Sequence, residues 1–238
     1  MDIQKLEQEA LANLGQFDKE LDEVALYNTE KVIRAFRDHK VADFYLKPST
    51  GYAYSDMGRD QLDLIFAQIF HAEAALVRSQ FVSGTHALAV AMMGNLKPGD
   101  ELIAVTGAPY DTMQTITKSL QDTGIVYKEV PMTGAIPDYE GIKKAVTKTT
   151  KMVHIQRSCG YSAVRNTLSV SEIGKIITTV KAISPDIICF VDNCYGEFVE
   201  KQEPTEVGAD LVAGSLIKNL GGGIAPTGGY IVGKADLV

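Results

Sequence analysis

The sequence predicts an α/β fold, a mostly parallel sheet with helices on both faces, and two patterns carry that expectation. From Ala74 onward, short apolar runs of strand length alternate with amphipathic segments of helix length. Those runs are apolar at successive positions, as in "DIICFVDN" and "ADLVAGSLIK", which marks strands covered on both faces.

The elements follow in order. Residues 1–47 read as a helical arm, because "LDEVALYNTEKVIRAFRDHKV" spaces Leu21, Val24, Ala25, Val32 and Ile33 helically among charges. "KPSTGYAYSDMGRD" is a loop by its Pro, Gly and Ser content, and "RDQLDLIFAQIFHA" is an amphipathic helix. Then "AALVRS" leads into "GTHALAVAMMGNL", "ELIAV" into "DTMQTITKSLQDTG", and "IVYKEV" into "DYEGIKKAVT". "KMVHIQ" leads into "SVSEIGKIITTVKAI", followed by the apolar runs "DIICFVDN", "ADLVAGSLIK" and "GGYIVG". "GGYIVGKADLV" stops after a strand with no closing helix, so a chain incomplete at its C-terminus is expected. The expected division is an arm, 1–47, and a large domain, 48–238.

Composition narrows the function. The net charge of −7 speaks against a nucleic-acid partner, which favours a basic face. No run approaches the ~20 apolar residues of a membrane span, and the acidic, amphipathic start does not read as a secretory signal. Three cysteines, Cys159, Cys189 and Cys194, are odd in number and lack metal-ligand spacing; they read as buried thiols in a reducing cytoplasm. His71 and His86 fall on helical patterns and read as capping or core residues.

Ligands of such folds bind beyond the carboxyl ends of the strands, and three features there carry chemistry. Gly84 and Thr85 stand at a strand-to-helix turn, where open N–H groups form an anion site; an ordinary cap by Ser83 or Thr85 is the competing reading. Asp192 follows a buried apolar run, so its carboxylate needs a cationic partner: an arginine, a metal or a protonated heterocycle. Glu197 lies five residues on with no histidine nearby, which weakens a metal site. Lys218 precedes its glycines in "GSLIKNLGGGIAPTGG", whereas a phosphate-loop lysine follows them. A lysine at the end of a buried strand is expected to be desolvated, with a lowered pKa and nucleophilic character.

Together these features match the needs of pyridoxal phosphate: a helix start for the phosphate, Asp192 for the ring nitrogen, and Lys218 for the Schiff base. Tyr110 supplies an aromatic for the ring face, and Ser215 a phosphate hydroxyl. The blocks "GYAYSDMGRDQLDLIFAQIFHAEAALVRSQFVSGTHALAVAM", "HIQRSCGYS", "FVDNCYGEFVE" and "EPTEVGADLVAGSLIKNLGGGIAPTGGYIVG" closely resemble the pyridoxal-phosphate carbon–sulfur lyases known as aluminium-resistance proteins. Methionine γ-lyase and the cystathionine enzymes are relatives of that family.

The resemblance implies the large domain of a fold type I enzyme, with the smaller C-terminal domain missing. It makes Lys218 the Schiff-base lysine, Asp192 the ring-nitrogen partner, Tyr110 the stacking aromatic and proton relay, and Gly84, Thr85 and Ser215 phosphate ligands. Tyr54 and Arg59 correspond to residues that reach a neighbouring subunit's phosphate, implying a homodimer or homotetramer with shared active sites. The sequence departs from relatives at Ile217, where they carry Thr, and "QRSCGYS" aligns poorly with their ring-hydroxyl segment. The relatives' arginine for the substrate carboxylate lies beyond Val238, leaving Arg157 and Arg165 as substitutes. The implied reaction is α,β- or α,γ-elimination from a sulfur amino acid. An aminotransferase or aldolase on the same fold, or a cofactor-binding fragment without turnover, are the competing readings.

Overall fold

The computed structural model describes residues 2–48, 56–134, 136–162 and 165–238. Seven strands form one sheet: β1 (Ala74–Arg78), β2 (Glu101–Ala104), β3 (Val126–Glu129), β4 (Thr150–Gln156), β5 (Ile188–Asp192), β6 (Leu211–Ser215) and β7 (Gly229–Gly233). Their order across the sheet is β1-β7-β6-β5-β4-β2-β3. β7 runs antiparallel to both neighbours, and the remaining pairs are parallel. The expected fold class is the one observed.

The helices are α1 (Ile3–Asp38), α2 (Met57–Ile69), α3 (Gly84–Asn95), α4 (Asp111–Asp122), α5 (Tyr139–Ala145) and α6 (Val170–Ile183). Two hydrophobic clusters, one on each face of the sheet, explain the apolar runs. Along β5, Ile188 and Phe190 pack towards α3 and α4, whereas Cys189 and Val191 pack towards α6. Every strand residue with core on both sides must be apolar, so period-2 alternation disappears.

α1 is a helix as expected, with Asp2 as its cap: Oδ1 accepts from the N–H groups of Gln4 and Lys5. Its burial differs from the sequence reading. Leu21, Ala25 and Ile33 are exposed, while Asn28 and Ala35 are the buried positions. Val32, Ala35 and Val41 join the core cluster that contains Val191 and Val212, so the second half of the arm shares the core of the sheet.

The chain steps from β2 outward to β3, then from β4 in the opposite direction through β5 and β6. Ligands of open α/β sheets bind at such a reversal, beyond the carboxyl ends of the strands. Those ends carry the loops that begin at Val105, Arg157, Asn193 and Leu216.

Candidate active site

A cavity of 370 Å³ opens over these strand ends, lined by Gly84 and Thr85 of α3, Tyr110 and Thr112, the 158–161 turn, Cys194, Tyr195, Ser215 and Lys218. Ser83 is the cap of α3, its Oγ accepting from the His86 N–H. The cap therefore spares Gly84 and Thr85, the first two helical positions, whose N–H groups have no acceptor within a helix. The structure shows the cap at Ser83 and leaves the N–H groups of Gly84 and Thr85 outside it. The helix start also presses on β6. A Cβ on Gly84 would lie 3.0 Å from Ser215 Cβ and 3.1 Å from Cys194 Sγ, so glycine permits the close approach.

Asp192 ends β5 beneath the cavity and is 1 % exposed. Its Oδ1 accepts the Cys194 N–H at 3.1 Å, while Oδ2 is buried without a partner. Burial pushes this carboxyl up, opposed by the Cys194 N–H and the cations Lys218 and Arg165. A buried, unpaired carboxylate oxygen is costly, and a protonated ring nitrogen is a partner of the right charge and donor type.

Tyr110 precedes α4. Its hydroxyl lies 3.5 Å from Thr85 Oγ1, which lies 3.2 Å from Thr112 Oγ1. Burial, then the charge of Asp192, drives this phenol well above its ordinary range. It is a neutral donor rather than a phenolate at physiological pH.

Lys218 corrects the expectation of a lowered pKa. Burial does pull its ammonium down, but Cys194, Asp192 and Tyr195 together outweigh it, and the pKa lies above the ordinary value. Lys218 Nζ sits 4.1 Å from the ring centroid of Tyr195. The glycines beyond it turn the chain as expected, Gly222, Gly223 and Gly228 having φ of 53°, 76° and 117°.

The remaining expected residues divide. Ser215 lines the cavity, and its Oγ accepts the Ile217 N–H at 3.3 Å. Ile217 lines it too, where a hydroxyl was expected from relatives. Arg59 lies in the first turn of α2, pairs with Asp56 at 3.4 Å, and does not line the cavity. Tyr54 lies outside the described residues. Arg157 is not available to a substrate: it is 1 % exposed, and its guanidinium donates to Asn193 Oδ1, Gly196 O, Glu200 Oε1 and Leu168 O. Arg165 donates from Nη2 to Gln156 O, and its Nε is buried without a partner. It lines an adjoining cavity of 390 Å³ with Tyr110 and Gln156.

Other readings change. Cys159 is half-buried and lines the cavity, while Cys189 and Cys194 are buried. His71 is not core but closes α2: with φ 48° it is the left-handed residue after the helix, its N–H donating to Gln68 O and the next N–H, of Ala72, to Ala67 O, while its largely exposed side chain lies 3.9 Å from Glu206. His86 does serve the turn, Nδ1 accepting the Val82 N–H. Sequence reasoning missed Tyr195, Cys194 and Thr112 in the cavity wall. Among the described residues, no cluster of potential metal ligands occurs, and no helix is long and apolar enough to cross a membrane.

With the geometry in place, comparison with known proteins is informative. A family model described as methionine gamma-lyase matches residues 3–238. A Bacillus subtilis (strain 168) relative, "Uncharacterized protein YnbB", is 49% identical over 99% of this chain and 58% of its own length. A Listeria innocua structure provisionally named as a cystathionine beta-lyase involved in aluminum resistance has a TM-score of 0.97 and 49% identity. It covers 100% of this chain and 60% of its own. A Clostridium novyi NT structure, named as a carbon-sulfur lyase involved in aluminum resistance, has a TM-score of 0.93 and 45% identity, covering 98% of this chain and 58% of its own. The chain thus spans about three-fifths of the length of these relatives. Its sheet is that of the large domain of fold type I pyridoxal-phosphate enzymes, and the chain belongs to the methionine gamma-lyase family.

Proposed function

We propose that this chain carries the cofactor-binding half of a pyridoxal-phosphate-dependent carbon–sulfur lyase acting on a sulfur amino acid. One observation carries the reading: Lys218 and the open start of α3 line one cavity, and the buried, unpaired Asp192 carboxylate stands two residues before Cys194 of its wall. When bound, pyridoxal phosphate supplies an electron sink for the carbanion at the substrate's Cα.

The chain's own groups have separable tasks. Gly84 and Thr85 N–H, with the Thr85 and Ser215 hydroxyls, hold the phosphate at a helix start. Asp192 keeps a ring nitrogen protonated, and burial makes that charge pairing strong. Tyr110 covers a ring face and offers its neutral hydroxyl to a departing thiolate. Lys218 would be the residue that holds the cofactor, and its amine, when free and neutral, would take the α-proton of the substrate and become an ammonium ion. A homodimer or homotetramer is proposed, with Tyr54 and Arg59 serving a neighbouring subunit's phosphate.

The test is direct. Protein mixed with pyridoxal phosphate should gain a visible absorbance band that borohydride fixes onto Lys218, and Lys218→Ala should lack it. Pyruvate from cysteine or cystathionine would assign β-elimination, and ketobutyrate from methionine or homocysteine γ-elimination. No band in the unaltered protein would overturn the reading.

A further inference from the structure

Tyr195 stands in a backbone conformation that its residue type resists. Its φ is 68°, in the left-handed region, and Phe198 three residues later has φ 64°. For bulky non-glycine residues such conformations are rare, and they persist where surrounding contacts over-determine them. Those contacts are present on both sides. The Cys194 N–H donates to Asp192 Oδ1, the Gly196 N–H to Asn193 O, and the Phe198 N–H to Glu203 Oε1. What the strained turn achieves is to stand the Tyr195 ring, 62% exposed, in the cavity wall with its face under Lys218 Nζ at 4.1 Å. Neither Arg59 nor Arg157 competes for that face, since each is paired elsewhere.

We propose that Tyr195 is a positioning residue whose ring is the seat of the Lys218 ammonium whenever that amine is not covalently engaged. This rests on reading Lys218 as the covalent anchor. The need for a seat follows from that role: a free lysine amine that takes up a substrate proton would become an ammonium ion and would have to stay within reach of the cavity. An aromatic face holds a cation without donating or accepting a proton, so the seat retains the ammonium but adds no competing acid or base. Cys194 and Asp192, both buried, favour the Lys218 ammonium electrostatically; Tyr195, exposed in the cavity wall, supplies the ring contact.

The test reads the lysine itself in the cofactor-free protein. Reductive methylation with ¹³C-formaldehyde keeps the charge, and the Lys218 signal, assigned by its absence in Lys218→Arg, is titrated by NMR. Tyr195→Phe keeps the ring face and should leave the Lys218 pKa unchanged. Tyr195→Leu should lower it by about half a pH unit, the size of an exposed cation–π contact. Tyr195→Gly accepts a positive φ without strain, so it removes the ring while relieving the backbone. It should fold at least as well as the parent and show the same lowering. An unchanged pKa in both the Leu and Gly variants would overturn the proposal, as would a Phe variant that behaves like Leu. Uptake of pyridoxal phosphate is measured separately by absorbance. Its failure in the unaltered protein would count against the lyase reading, whereas the NMR comparison needs no cofactor.

Discussion

Glu197 offers a quantitative check on the buried support of the site. Its side chain lies under β6, where Oε1 accepts the Tyr230 hydroxyl at 2.9 Å and Oε2 has no partner. The space exists because residue 214 is glycine; a Cβ there would meet Glu197 Oε1 at 2.5 Å and Tyr230 Oη at 2.7 Å. Burial, with repulsion from Glu203 and Asp192, pushes this carboxyl from 4.5 up to about 7, against the Tyr230 hydrogen bond. The native state therefore binds the proton more tightly than the unfolded chain, so stability falls as pH rises between those two values. The penalty is nearly absent below the unfolded pKa and complete above the folded one. Between about pH 5 and about pH 8 this one group should cost the protein roughly 2–3 kcal/mol, at 1.36 kcal/mol per unit. Glu197→Gln keeps the acceptor for Tyr230 and removes the titration; any cost of its unpaired amide is the same at both pH values. Urea unfolding at the two pH values measures the difference. Relative to the parent, the variant should gain those roughly 2–3 kcal/mol on going from about pH 5 to about pH 8. A variant whose offset from the parent is equal at both would refute the reasoning.

Other outcomes follow from the same geometry. Asp192→Asn keeps an acceptor for the Cys194 N–H but loses the charge; under the proposed function, steady-state kinetics of the protein loaded with pyridoxal phosphate should show at least about a hundredfold loss of kcat. Arg157→Met should unfold more easily by about 3–5 kcal/mol in urea, because it strands the buried Glu203 and the acceptors Asn193 and Gly196. With a thiol reagent on the native protein, Cys159 should react. Cys189, pushed up to about 12 by burial, and Cys194 should react only after unfolding.

The parallel strands were legible because burial on both faces forces continuous apolar runs, as Ile188 to Val191 show. The antiparallel direction of β7 was not, since strand direction leaves no mark in "GYIVG" itself. Asp192 and Lys218 were legible as charged residues ending apolar runs. The sign of the Lys218 shift was not, because it depends on Cys194 and Asp192, partners 24 and 26 positions away that the fold alone brings close. Arg157 illustrates the same limit. Its partners Asn193, Gly196 and Glu200 stand 36, 39 and 43 residues on, so a structural arginine and a substrate arginine look alike in sequence. Tyr195 carried no signal at all, because a left-handed tyrosine has no local signature comparable to glycine's.

The segment from Asp192 to Glu203 shows why the arm and the site belong to one argument. Its backbone carries two left-handed aromatic residues, Tyr195 and Phe198, a conformation that would relax if the segment were free. It is not free. On one side Asn28 of α1 donates to both Phe198 O and Glu200 O at 3.0 Å, and Lys31 Nζ stands 5.3 Å from the Phe198 ring. From within the fold Arg157 grips Asn193, Gly196 and Glu200. On the cavity side Asn219, next to Lys218, donates to Glu197 O at 2.9 Å. The carboxylate beneath the cavity, the ring under the lysine and the lysine's neighbour therefore share one rigid mount, and the second half of α1 is part of it. Catalysis by placed charges needs such a mount, since a charge that can reorient towards solvent loses most of its effect. Within the arm read from the sequence, residues 1–47, the second half of α1 thus braces the segment behind the candidate active site.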